Sequence, residues 1–316
     1  MSGWAAQHIY RDFVCTNGTV LSVTARCSQK AKNQKVILHN SGMLEVVVPV
    51  RRGKAEHEIT PSFATGFLEE KRSWIERAAR SIAPQIDAYR LSRAAGVPTH
   101  LEFPPLDELW LIEYHRTPAA RITTKTELRA LQPSNLNTAL HLPNPDVALH
   151  LSKPDNTFDL STAVTTRHPS SPDTIVLHLH GPIDNEALCF ETIRRFVTAY
   201  AKDHLPGFAW RVVGELEAAG QLQKRPTSIT VNNRKSAWGV CTRDGRIRLD
   251  RRLIFLPHDL ARQVVLHELA HIRNMNHSQA FYDEFYSFDG ATREATKALK
   301  QASCYVPAWF SDTIQT

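Results

Sequence analysis

At 316 residues, with 42% hydrophobic and 22% charged side chains, the chain is long enough to bury a sizeable core and ordinary globular in composition. It has no run of about 18 apolar residues to span a bilayer and no secretory signal at its N-terminus, and Cys15, Cys27, Cys189, Cys241 and Cys304 form no Cys-x-x-Cys pair. These features argue against a membrane span, a disulfide framework and a zinc knuckle, and they lead us to expect a soluble, cytoplasmic protein; the net charge of +6 permits a nucleic-acid partner without requiring one.

The patterns divide the chain into an N-terminal hairpin and helix region (1–90), a β-rich elaboration with long loops (91–184) and a domain that carries the chemistry (185–316). Residues 1–34 read as an irregular or β-rich start. Two β-branched runs in 35–49, joined by Asn40, Ser41 and Gly42, predict a hairpin. A helical stripe of Leu68, Ile75, Ala79 and Ile82 follows over 61–81, with Trp74 expected to clamp it onto the hairpin. A second helix ends near Gly96, and residues 109–114 read as a strand. Residues 117–172 are rich in Pro, Asn, Thr and Ser, with short strand candidates such as 147–151. Residues 174–180 form a strong strand whose His178 and His180 share one face, read as the polar side of a half-exposed strand. Helices are expected over 185–203 and, after Gly207, over 208–222, with Pro226 stopping the run. Asp244-Gly245 joins two extended runs, 237–241 and 246–255, into a second hairpin. Pro257 and Asp259 then open the next helix. The tail holds a helix over 291–302 and then Trp309 and Phe310, expected to cover the core or fold over a cleft.

The helix opened by Pro257 carries the chemistry. His267 and His271, at i and i+4, lie roughly 40° apart on one face, so both imidazoles can reach one cation. Glu268 lies beside that face, where it can serve as general base without displacing a ligand. A catalytic zinc commonly takes three protein ligands, and His277 is the natural third. For His277 to return, the helix must stop; Asn274 suits a left-handed C-cap, and Ser278 suits the N-cap of a helix through Phe281 and Phe285.

Trp238-Gly239-x-Cys241, the block 247–254, Pro257, His267-Glu268-x-x-His271 and Asn276-His277-Ser278-x-x-Phe281 together resemble the YgjP-like metallopeptidase family, relatives of the SprT-like proteases in the zincin group. The likeness extends more weakly to the N-terminal hairpin and to residues 67–75, and it is poor over 90–185. It implies an α+β fold: a zincin-like core of a small sheet with an active-site helix, preceded by a β-rich N-terminal region. It also implies Zn2+ on His267, His271 and His277, with the Trp-Gly hairpin beside the cleft. The chain departs from the family pattern at Ala237, where Arg is usual, and at Val240, where Ser is usual; Arg234, Lys235 or Arg252 are the candidate replacements. The metzincins share the His spacing, but Asn274 stands where they have Gly and no methionine follows the motif to make their Met-turn.

The expectation is a zinc-dependent metallopeptidase acting on a peptide or protein substrate, with Glu268 as base and Trp238, Gly239 and Arg252 as candidate substrate contacts. Two alternatives accompany it. Arg246, Arg248, Arg251 and Arg252 would suit a nucleotide phosphohydrolase on the same site, and a nucleic-acid-binding module with a structural metal is the third reading.

Overall fold

Alternating apolar positions make strands of the first part of the chain. The computed structural model describes residues 8–49, 61–130, 173–233 and 237–311. Strands β1 (His8–Val14), β2 (Val20–Ser28), β3 (Lys35–Leu38) and β4 (Met43–Pro49) form one sheet in the order β1-β2-β4-β3. The predicted hairpin is the antiparallel β3–β4 pair, closed by Gly42 at φ +81°. Leu21, Val23 and Ala25 of β2 and Leu44, Val46 and Val48 of β4 share a core with Leu68, Ile75 and Ala79 of the predicted stripe. The helix expected over 61–81 is broken at Lys71 into α1 (Pro61–Glu70) and α2 (Arg72–Ser81). Trp74 does not clamp it. Its side chain is 45% exposed, because Ile75 and Ala79 define the inward face of α2 and Trp74 falls beside it. Helix α3 (Ala83–Ala94) adds Ile86 to this core.

The chain divides into two compact units, residues 1–94 with 299–312 and residues 95–298 with 313–316. The end of the tail therefore joins the N-terminal unit, where it covers the core on α3. A 3-10 turn (Ala302–Tyr305) and a final short helix (Ala308–Ser311) pack on α3, burying Ala302, Trp309 and Phe310, and the Ala308 amide donates to Ser92 Oγ at 2.9 Å.

In the second unit, β5 (His100–Phe103), β6 (Glu108–Arg116), β7 (Thr123–Ala130) and β8 (Asp173–Gly181) make a sheet in the order β5-β6-β8-β7, with β6 and β8 parallel. Most of the 91–184 segment described by the structure thus lies in the same unit as the motif helix. The strand candidate at 147–151 lies outside the described residues. A single helix, α4 (Glu186–Ala218), replaces the two expected over 185–222 and is capped by Asn185, whose side chain accepts the Leu188 amide at 3.1 Å. It runs through Pro206 because Leu205, Phe208, Ala209, Val212, Val213 and Leu216 are all buried; losing one backbone bond costs about 3 kcal/mol, and each such apolar side chain regains about 1.5–3. Tyr200 of α4 lies with Phe103 and Trp110 of the sheet at ring separations of 5.4 and 4.7 Å, and the Tyr200 hydroxyl and Trp110 indole both donate to Glu108 Oε2.

The third sheet, β10-β11-β9, comprises β9 (Ser228–Asn232), β10 (Gly239–Cys241) and β11 (Arg246–Asp250). The Asp-Gly hairpin forms as expected, with Gly245 at φ +78°. Its second run stops early: Asp250 caps the Arg252 amide at 2.9 Å and starts a 3-10 helix over Arg251–Phe255. Helix α5 (His258–Ala270) follows, with Pro257 at its N-cap and Asp259 in its first turn, and then α6 (Gln279–Phe285) and α7 (Arg293–Ala298). The molecule is a mixed α+β protein with several small sheets and a β-rich N-terminal region. No described helix is long and apolar enough to cross a membrane.

Candidate metal centre

Buried Leu266, Leu269 and Ala270 hold α5 against its unit and present His267 and, at the C-cap, His271 on the remaining face. The chain turns after Ala270 and brings His277 back. His267 Nε2 lies 3.2 Å from His271 Nε2 and 3.1 Å from His277 Nε2, and the three imidazoles offer ligand atoms within 4.8 Å of one another. A tetrahedral ion with bonds of 2.0–2.1 Å places its ligand atoms about 3.3 Å apart, so the donor set fits a metal such as zinc. Burial, reinforced by His271 and His277, pushes the His267 imidazole down to about 4, and burial also holds His271 below its ordinary value. Near neutral pH both rings are uncharged, the form that a metal requires.

The return of His277 works differently from the expected left-handed stop. Asn274 does not have a positive φ. Its amide continues the helical pattern to the Ala270 carbonyl at 3.1 Å, and its own carbonyl accepts from His271 Nδ1 at 2.9 Å. That bond fixes the tautomer, leaving the His271 Nε2 lone pair directed toward the other rings. The Asn274 side chain donates to Glu284 of α6, which also lies 3.6 Å from Arg273. Ser278 occupies the N-cap of α6 without a side-chain capping bond. Phe281, fully buried, has its ring 5.0, 4.5 and 4.8 Å from those of His267, His271 and His277. Phe281 stands out in the sequence as a helix residue and as the end of the block that resembles the family, whereas Glu284 does not. The i, i+3, i+4 spacing of 281, 284 and 285, which puts all three toward one side of α6, was the available signal.

Glu268 is 4% exposed and lies against β10. A Cβ added at Gly239 would stand 2.7 Å from Glu268 Cγ and Oε1, so only glycine leaves the carboxylate where it is. Gly239 is thus the wall behind Glu268. Burial, and next the charge of Glu268, push the Cys241 thiol up to about 11, so it stays neutral beside Glu268. Trp238 accepts the Asp250 amide through its carbonyl at 2.7 Å, and the Arg252 guanidinium sits 4.9 Å over its ring. The fully buried Asp250 also accepts Arg252 Nε at 2.6 Å. The structure therefore joins Trp238 to Arg252, and Gly239 to Glu268. Arg234 and Lys235 lie outside the described residues.

Residues 156–302 match the family model of the YgjP-like metallopeptidase domain. This part of the chain is similar to the YgjP-like metallopeptidase domain. The match spans slightly under half of the sequence and contains the three histidines, Glu268 and the Trp238 hairpin. It begins inside the segment where the resemblance read from the sequence was poor, and it includes neither the N-terminal hairpin nor residues 67–75. No curated protein and no solved structure matches the chain.

Proposed function

We propose that the YgjP-like domain is a zinc-dependent peptidase in which His267, His271 and His277 hold the ion and Glu268 is the general base. The observation that carries this reading is the convergence of three imidazoles, two of them held neutral, on the helix that also buries Glu268. Zinc bound there would supply Lewis-acid polarisation of a scissile carbonyl and a water acidified to a pKa of about 7. Glu268 takes the proton of the attacking water on its carboxylate and delivers it to the leaving amine nitrogen. Gly239 and the buried surroundings keep that carboxylate in one place, so proton transfer needs no large rearrangement.

An extended peptide suits the neighbouring sheet. Among the described residues β10 pairs with β11 alone, and a substrate strand added at its other edge would bind through main-chain hydrogen bonds. Three of the four arginines that would favour a phosphoanhydride are engaged elsewhere. Arg246 pairs with Asp244 at 2.5 Å, Arg251 is buried and donates to the Thr198 hydroxyl, and Arg252 is held by Asp250 and Trp238. A substrate of low charge, such as a peptide bond, fits this distribution better.

The test is hydrolysis of casein and of a mixed peptide library by the purified chain, with metal content measured alongside. Glu268→Gln is expected to retain the metal and lose at least about 100-fold in turnover, whereas His271→Ala is expected to lose the metal. Undiminished cleavage by Glu268→Gln removes the assigned base, and nucleoside triphosphate hydrolysis without peptide cleavage moves the substrate class.

A further inference from the structure

His178 and His180, read from sequence as the polar face of a strand, do not stand alone. Strands β6 and β8 run parallel in a register that sets Glu113 opposite His178 and His115 opposite His180. Alternation places all four side chains on one face of the sheet. The geometry points to a second metal site there, formed by His115, His178, His180 and Glu113 and suited to a first-row divalent transition cation such as zinc, nickel or copper.

The donor distances carry this assignment. His115 Nε2 lies 2.9 Å from His178 Nδ1, and Glu113 Oε2 lies 3.4 Å from His178 Nδ1 and 3.7 Å from His115 Nε2. This triangle brackets the edge of about 3.3 Å expected for a tetrahedral ion. His180 adds a fourth donor: ligand atoms of the three imidazoles lie within 4.8 Å of one another, and the His115 and His180 rings stack at 4.5 Å. Three neutral nitrogens and one carboxylate oxygen match zinc or its neighbours, and they are a poor set for calcium or magnesium, which favour oxygen alone.

The surroundings orient these donors as metal ligands are commonly oriented. Glu127 Oε2 of β7 lies 3.4 Å from His178 Nε2, so its charge favours the proton on that nitrogen and leaves Nδ1 as the lone pair facing the cluster. Arg129 donates to Glu113 Oε1 at 2.6 Å, leaving Oε2 to face the imidazoles. His178 is 7% exposed, while the His115 side chain is 40% exposed, which gives the cluster a buried floor and an open side for entry. Half of the ligands, Glu113 and His115, precede the stretch matched by the family model. A His115–His178 hydrogen bond at the same 2.9 Å is the competing account, and it requires no metal.

Because this site shares no residue with the catalytic one, titration separates them. Metal-free full-length protein is titrated with Co2+, following the visible bands of the tetrahedral ion, and with Zn2+ by calorimetry. The wild-type chain is expected to bind two equivalents and the His267→Ala/His271→Ala variant one. His115→Ala/His180→Ala is expected to drop the wild-type count from two to one, with the remaining equivalent still supporting peptide hydrolysis. Glu113→Gln, which keeps size and shape, is expected to weaken the second equivalent at least about 10-fold without changing the far-ultraviolet circular dichroism of the metal-free protein. One equivalent in the wild type, none in the His267→Ala/His271→Ala variant, or cobalt binding and spectra untouched by His115→Ala/His180→Ala and by Glu113→Gln would each overturn the assignment.

Discussion

Gly239 illustrates how a residue with no reactive group can limit the proposed chemistry. Its Cα is the surface on which Glu268 rests, and a methyl there would stand 2.7 Å from that side chain. Gly239→Ala is therefore expected to move the carboxylate, lowering kcat/KM by about 10-fold or more while metal content stays unchanged; unaltered kinetics would show that Glu268 tolerates displacement. Glu284 works at one remove, since it accepts from the Asn274 side chain while the Asn274 carbonyl holds His271. Glu284→Ala should weaken metal binding by about 10- to 100-fold in a chelator competition, the usual effect of losing such a support. The spacing of His267, Glu268, His271 and His277 was readable in the sequence because it follows from helix geometry and one short return. The supports of Asn274 were not. Sequence indicates that asparagine can end a helix, but whether its carbonyl meets an imidazole depends on where α6 comes to lie.

At the scale of an element, α4 shows tertiary burial overruling local signals. Gly207 predicts a break, yet the helix runs through it and through Pro206 with one side buried along its length. Pro206→Ala restores a missing backbone donor and should raise stability by about 1 kcal/mol or more, read as a higher urea midpoint. A lower midpoint would mean that the proline's local geometry is itself part of the packing. The two hairpins were legible because turn residues stand between β-branched runs, and Gly42 and Gly245 adopt the positive φ those turns need. The β6–β8 pairing was not, since a parallel pair joined through the long stretch between them leaves no local trace. For the same reason His115 was not seen as a neighbour of His178 and His180.

For the whole molecule, the division into residues 1–94 with 299–312 and residues 95–298 has a thermodynamic consequence. All the candidate ligands belong to the second unit. Scanning calorimetry should resolve two transitions, with a chelator lowering the temperature of one and leaving the other in place, because a ligand stabilises only the structure that binds it. A single transition shifted as a whole would show that the units unfold together.

The order in which the chain is synthesised gives the discontinuous unit a further meaning. Residues 1–94 leave the ribosome before residues 95–298, but the core on α3 includes Ala302, Trp309 and Phe310, which emerge after them. By then residues 95–298 are already available in full length to fold. The unit that carries the three histidines can thus mature on the nascent chain while the unit begun before it waits for its closing segment.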